Sequence, residues 1–151
     1  MAIEYVKGDL FSDTTSILLH ACNCRRTWGS GVAATFANKF PKAYEIYRSY
    51  KADVGDIRVI KGDEQTIICL FTSDGYGKET DPPELIAKHT ATALWLLGMY
   101  YKGHEKVMIA SPKINAGLFR VPWSVSEELI EDFLEANPNF NWKVYYVEDL
   151  R

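Results

Sequence analysis

The residues best suited to chemistry lie in the stretch His20–Phe36, HACNCRRTWGSGVAATF. His20, Cys22, Asn23 and Cys24 follow closely on one another, then come Gly29-Ser30-Gly31 and the helix-like opening Val32-Ala33-Ala34-Thr35-Phe36. A strand that passes through a glycine turn into a helix N-terminus makes an anion site. Backbone N–H groups are unpaired there, the helix dipole is positive, and glycine lets a phosphate come close. The plain alternative is a tight turn with no ligand. His20 could act as an acid or base, because a neutral imidazole can protonate a leaving alkoxide or activate water near neutral pH. Its alternative is an ordinary histidine at a strand end. Asn23 could position a ribose or a water, or simply form the turn.

The thiols invite a metal or nucleophile reading. Beyond the Cys22-x-Cys24 pair only Cys69, inside an expected strand, and scattered histidines remain as ligands, whereas structural metal sites usually show paired clusters. No metal and no cofactor are therefore expected, and both cysteines are read as small packing residues. A cysteine-type phosphatase needs an arginine at the far side of a phosphate loop, and Arg25 and Arg26 stand too close. His89 and His104 read as helix-face and helix-end residues, and Trp95 as core.

The elements that must position this stretch alternate between β and α. Ile3–Val6 reads as a strand ending at Lys7-Gly8-Asp9-Leu10, and Ser16–Leu19 as a short strand buried on both faces. Val32, Phe36 and Phe40 recur at helical spacing, and Pro41 ends one helix and can begin the next, Lys42–Lys51. Ile57–Ile60 and Thr66–Phe71 form a hairpin-like pair of strands. The loop Thr72–Pro83, TSDGYGKETDPP, has a length that usually serves a site or marks mobility, with Asp74 and Lys78 as possible site residues. Glu84–Tyr101 reads as a helix with Leu85, His89, Ala93, Leu96, Leu97 and Tyr100 on its apolar face. Lys106–Ala110 is a strand, Ser124–Ala136 a helix with Ser124 and Glu127 as a capping box, and Trp142–Val147 a last strand. The expected fold is a three-layer α/β/α arrangement on a mixed sheet of about six strands, in one domain spanning residues 1–151.

In such folds ligands sit outside the strand C-termini. A second loop, Asn115–Trp123, also follows an apolar strand and feeds a helix. Two glycine loops on one face could clamp a diphosphate, with Trp28 or Phe119 covering a sugar or base. Asp9, after the first strand, could accept from an exocyclic amine or a ribose hydroxyl.

Composition narrows the classes. The 151 residues carry a formal net charge of −3, which argues against a nonspecific nucleic-acid binder. No apolar run reaches membrane-span length and no signal layout is present. Three cysteines make an odd count that fits a reducing, intracellular setting, cytoplasmic or nuclear, better than a disulfide framework.

The segments VKGDL (6–10), LHACNCRRTWGSGVA (19–33), LFTSDGYG (70–77) and INAGLFRVPW (114–123) resemble the macrodomain family, most closely its subgroup of fungal ADP-ribose 1''-phosphate phosphatases. The resemblance spans essentially the whole chain. It implies that Asp9 binds the adenine amine, flanked by Gly8 and Leu10. It also implies that Ala21, Cys22, Asn23, Trp28, Gly29, Ser30, Gly31, Val32 and Ala33 line one side of an ADP-ribose cleft, and that Asn115, Ala116, Gly117, Leu118 and Phe119 line the other. His20 and Asn23 fall at positions that are often asparagine in the family. The implied activity is removal of the 1''-phosphate from ADP-ribose 1''-phosphate, a by-product of transfer-RNA splicing in the resembling group, with His20 and Asn23 catalytic. The expected partner is this compound or ADP-ribose itself, with no membrane, and the chain acting as a monomer.

Alternatives are a module that only binds ADP-ribose and a hydrolase acting on ADP-ribosylated macromolecules. The second is weakened by two departures. Ala33 stands where hydrolases of mono-ADP-ribosylated acidic side chains commonly carry aspartate. Phe119 replaces the second-loop aspartate of a related glycohydrolase group, whose lysine has only Lys78, without a clear register, as a counterpart.

Overall fold

The computed structural model describes residues 3–147. Its single sheet runs in the order β1 (Glu4–Lys7), β6 (Phe140–Tyr146), β5 (Val107–Ser111), β2 (Ile17–Asn23), β4 (Ile67–Ser73), β3 (Ile57–Ile60). All pairings are parallel except β3 with β4, which is antiparallel, as the hairpin reading of those segments requires. The mixed six-stranded α/β/α expectation therefore holds. Helices α1 (Gly31–Lys39) and α2 (Pro41–Arg48) cover one face; α3 (Pro83–Tyr100) and α4 (Trp123–Ala136) cover the other. None of the described helices is long and apolar enough to cross a membrane.

The two faces have different cores. Leu19, Ile68, Leu70 and Ile109 of the sheet pack with Leu94, Leu97, Ile130 and Phe133. Leu18, Cys22, Ile67, Cys69 and Phe71 pack with Phe36, Ala43 and Tyr47. A strand buried on both faces sends alternate residues into opposite layers. In β2 this continues past Leu19 to Asn23, farther than its apolar run suggests. The second core absorbs His20 and Cys22, whose polarity had marked them as the end of the strand.

The buried face of α3 is Ile86, Thr90, Ala93, Leu94 and Leu97, a spacing that keeps one side of a 3.6-residue helix inward. That face is turned from the expected one, so Leu85 and Tyr100 are exposed, and Trp95, expected in the core, is 64% exposed. At α4 the helix begins at Trp123 with Pro122 as N-cap and no side-chain cap. The capping box expected at Ser124 and Glu127 is thus absent. Glu127 instead accepts a hydrogen bond from Tyr5 Oη, which in turn accepts one from Trp123 Nε1 at 3.0 Å. This ties the start of α4 to β1. Burial, followed by the bond to Glu127, pushes the Tyr5 phenol up to about 12, so it is a donor at any ordinary pH.

Candidate functional site

Strands β2 and β5 are neighbours at the middle of the sheet, and from them the chain departs in opposite directions, to β4 and β3 on one side and to β6 and β1 on the other. Such a switch point leaves a crevice beyond the strand C-termini. The first glycine loop follows β2 and the second follows β5, so both face that crevice. They touch: a Cβ at Gly31 would lie 3.4 Å from Leu118 Cδ1.

Each loop offers unpaired amides. Ser30 occupies the N-cap of α1 without a side-chain hydrogen bond, and the first helical bond is Ala34 N to Ser30 O. The N–H groups of Gly31, Val32 and Ala33 therefore find no acceptor among the described residues. Gly31 adopts φ 59°, a left-handed conformation that costs an ordinary residue about 1–2 kcal/mol. In the second loop, Arg120 N bonds to Gly117 O and Val121 N to Asn115 O. Those bonds leave the amides of Gly117, Leu118 and Phe119 without acceptors in the described residues. Exposed N–H groups from two sides can serve anionic oxygens that bridge the loops. A depression of about 550 Å³ opens against the second loop, lined by Ala116, Gly117, Lys113, Arg120, Pro122 and Trp123.

Asn115 shapes this loop from beneath. It is buried at φ 65°, and its amide is fully used. Oδ1 accepts from Thr72 Oγ1 at 2.8 Å, while Nδ2 donates to Thr90 Oγ1 at 2.9 Å and to Ser126 Oγ at 3.2 Å. Four elements meet on this one side chain, so Asn115 sets the loop's backbone and offers no free polar atom to a ligand.

Asn23 does the same for the first loop. Its Oδ1 accepts from Arg25 N at 2.9 Å, its Nδ2 donates to Thr27 O at 2.8 Å, and Tyr47 Oη donates to its carbonyl at 2.6 Å. A register shift in the β2–β4 pairing between Cys22 and Asn23 turns the chain out of the sheet here, as irregularities at strand ends do next to sites. Arg25 then reaches Glu79 at 2.7 Å and Asp74 at 3.4 Å, and Cys24 N donates to Ser73 O and Asp74 O. The loop after β4 is thereby held beside the first glycine loop.

His20 lies elsewhere. Its ring stacks on Phe36 with centroids 3.9 Å apart and planes 8° apart, and Trp28 meets it edge-on at 4.8 Å. The residue is 3% exposed. Burial holds its pKa down at about 3, so the imidazole is neutral at physiological pH and turned into the α1–α2 layer. This geometry gives no support to an acid–base role in the crevice.

Trp28, expected over a sugar or base, is likewise buried, stacked on Tyr44 and Tyr47 at 5.2 and 4.7 Å. The Cys22 side chain is buried in the same layer, and Ala21 packs against the opposite core. Both belong to β2, directly beneath the first loop, where they support it. Phe119 is half-buried at the crevice, while Leu118 is exposed. Asp9 and Gly8 stand at the C-terminal end of β1. Oδ1 of Asp9 caps the short 3-10 turn Leu10–Ser12 by accepting from Phe11 N at 3.0 Å, and Oδ2 is free of partners among the described residues. Leu10 is buried beneath it. Three strand spacings separate β1 from β2, about 14 Å, the reach of an extended dinucleotide-like ligand laid along the sheet edge.

The mixed, mostly parallel sheet, its central switch point and two amide-rich loops meeting across it define a macrodomain. The chain belongs to the macro domain family, whose model matches residues 19–130. It is 39% identical to the ADP-ribose 1''-phosphate phosphatase of Debaryomyces hansenii, over 97% of this chain and 99% of that protein. Identity to the Candida albicans protein of the same name is 37%, over 96% of this chain and 99% of the relative. Among solved structures, the macrodomain of Mycobacterium tuberculosis DarG superposes with TM-score 0.82 at 19% identity, covering 95% of this chain and 96% of that one. Thermosipho africanus DarTG in complex with ADP-ribose superposes with TM-score 0.77 at 16% identity, covering 98% of this chain and 43% of the other. At these identities the structural likenesses speak for the fold.

Proposed function

We propose that this protein hydrolyses the phosphate monoester of ADP-ribose 1''-phosphate, giving ADP-ribose and inorganic phosphate. The observation that carries the reading is the pair of facing loops whose amides, at Gly31–Ala33 and Gly117–Phe119, have no acceptor among the described residues. The relatives that bear this enzyme's name, matched over 99% of their own length, support it. The diphosphate lies between the loops, the adenine reaches Asp9, and the distal ribose presents its phosphate beside Asn23 and Gly29–Gly31. Held there, the ester is oriented for in-line attack by water. The loop amides stabilise the negative charge that grows on the phosphoryl oxygens.

In this reading Asn23 acts as a positioning residue, through the loop it closes, and His20 as a neutral packing ring. The proton acceptor for the attacking water is assigned to Asp74, whose carboxylate Arg25 holds next to the first loop. Ala33 and Phe119 leave this chain without the acidic residues expected of the ADP-ribosyl hydrolases, so free phosphorylated ADP-ribose is the preferred substrate class.

Asp9 offers a clean test of the binding half. Asp9→Asn retains an acceptor for Phe11 N and removes the carboxylate, so stability should stay within about 0.5 kcal/mol of the parent. ADP-ribose binding should weaken about tenfold, the worth of a hydrogen bond to a charged group. Titration calorimetry with ADP-ribose measures it; unchanged affinity would remove Asp9 from the adenine site.

A further inference from the structure

On the face of the sheet turned away from the α3–α4 layer, β2 and β4 bring three metal-ligating side chains to one point. The ligand atoms of His20, Cys22 and Cys69 all lie within 4.8 Å of one another. Parallel pairing sets His20 directly opposite Cys69, and Cys22 follows two residues along the same face. We propose that His20, Cys22 and Cys69 form a buried binding site for one zinc ion, beneath the first glycine loop and separate from the ADP-ribose crevice.

The spacing fits the ion. Zinc–sulfur and zinc–nitrogen bonds of about 2.3 and 2.0 Å meeting at a tetrahedral angle put sulfur and nitrogen about 3.5 Å apart. Cys22 Sγ stands 3.5 Å from His20 Nε2. The charge balance fits as well. Two thiolates and a neutral imidazole around a divalent cation sum to zero, which an apolar layer tolerates where it would reject a lone charge. The neutral imidazole is the form that ligates. Thiols ordinarily carry their protons at neutral pH, so zinc entry breaks both S–H bonds, forms two S–Zn bonds and releases both protons to solvent.

An independent observation comes from Trp28. Its buried indole Nε1 is a polar side-chain atom left without a partner among the described residues. A protonated thiol is a poor acceptor, whereas a metal-bound thiolate is a good one. The ion would give this orphaned donor its partner. Three protein ligands leave the fourth tetrahedral position of the ion to a water. Bound there, the ion would tie the end of β2, from which the first loop departs, to β4.

The test uses the full chain, stripped with a chelator and kept under a non-thiol reductant, with Co²⁺ as probe and Zn²⁺ as competitor. The expected result is one Co²⁺ per chain, a thiolate-to-cobalt charge-transfer band, and loss of that band on adding Zn²⁺. Cys22→Ser and Cys69→Ser should each abolish the band. Because a core variant can misfold, the parent protein gives a second readout. Zn²⁺ should raise its thermal midpoint saturably. The proposal is overturned if the parent shows no cobalt–thiolate band, if the band survives in both serine variants, or if zinc leaves the parent's thermal midpoint unchanged.

Discussion

Asn115→Ala is expected to destabilise the protein by about 3 kcal/mol and to abolish measurable ADP-ribose binding. The first part follows from the accounting at the site. Thr72 Oγ1 loses its acceptor, and Thr90 Oγ1 and Ser126 Oγ lose the amide that donates to both. Each buried group left unpaired costs about 1–3 kcal/mol. Alanine also resists the backbone conformation at φ 65°, by about 1–2 kcal/mol. The second part follows because the same side chain fixes the path of Ala116–Phe119, whose amides form one wall of the crevice. Asn115→Gly separates the terms, since glycine accepts the backbone angle but not the hydrogen bonds. Urea unfolding should rank the parent above the glycine variant and the glycine variant above alanine. Parent-like stability of Asn115→Ala would show that the network contributes nothing.

A comparable effect is expected from His20, and it appears as a function of pH. In the metal-free chain the imidazole titrates near 6.5 when unfolded and at about 3 when folded. Its folded pKa is depressed, so the unfolded chain binds the extra proton between those values. Stability is therefore complete above pH 6.5 and falls as pH drops toward the folded value, by about 1.4 kcal/mol per unit and about 2 kcal/mol by pH 5. His20→Phe keeps an aromatic ring against Phe36 and should remove that portion of the acid sensitivity. Denaturant titrations at pH 7 and pH 5 check it: the loss between the two should shrink in the variant. The same variant bears on mechanism. A packing ring predicts that turnover persists with an unchanged pH profile, whereas an acid–base histidine predicts that turnover is lost together with one limb of the profile.

Much of the architecture was legible in the residues. Alternating strand and helix patterns, the glycine loops and the antiparallel pair flanking Lys61-Gly62-Asp63-Glu64 all carry local signals, and the sheet assembles them as expected. What escaped has physical causes. The strand β2 runs on to Asn23 because His20 and Cys22 are buried by stacking and by close packing, environments that residue type does not announce. On α3 the inward face includes Thr90, whose hydroxyl donates to Ile86 O at 2.7 Å. A polar residue satisfied by its own helix looks like a surface position in the sequence, and its burial turned Trp95 outward. Trp28 was misplaced for a related reason: beside a glycine loop an aromatic reads as a ligand cover, while here Tyr44 and Tyr47 from α2 enclose it.

The site itself was half legible. The glycine loops and Asp9 lie in short continuous motifs. The support of Asn115 by Thr72, Thr90 and Ser126, and the convergence of Cys69 on His20 and Cys22, exist only after strand pairing brings distant segments together. Both loops thus rest on a buried asparagine whose side-chain amide is hydrogen-bonded within the protein, Asn23 to its own loop's backbone and Asn115 to three hydroxyls, while exposed N–H groups face the crevice.

The decisive measurement is to incubate the purified 151-residue chain, freed of contaminating phosphatases, with ADP-ribose 1''-phosphate and to follow inorganic phosphate and nucleotide products together. The expected outcome is equimolar release of phosphate and ADP-ribose, inhibited by added ADP-ribose and lost in Asp74→Asn. Tight binding of ADP-ribose with no phosphate released from the ester would contradict it and leave the protein a binding module.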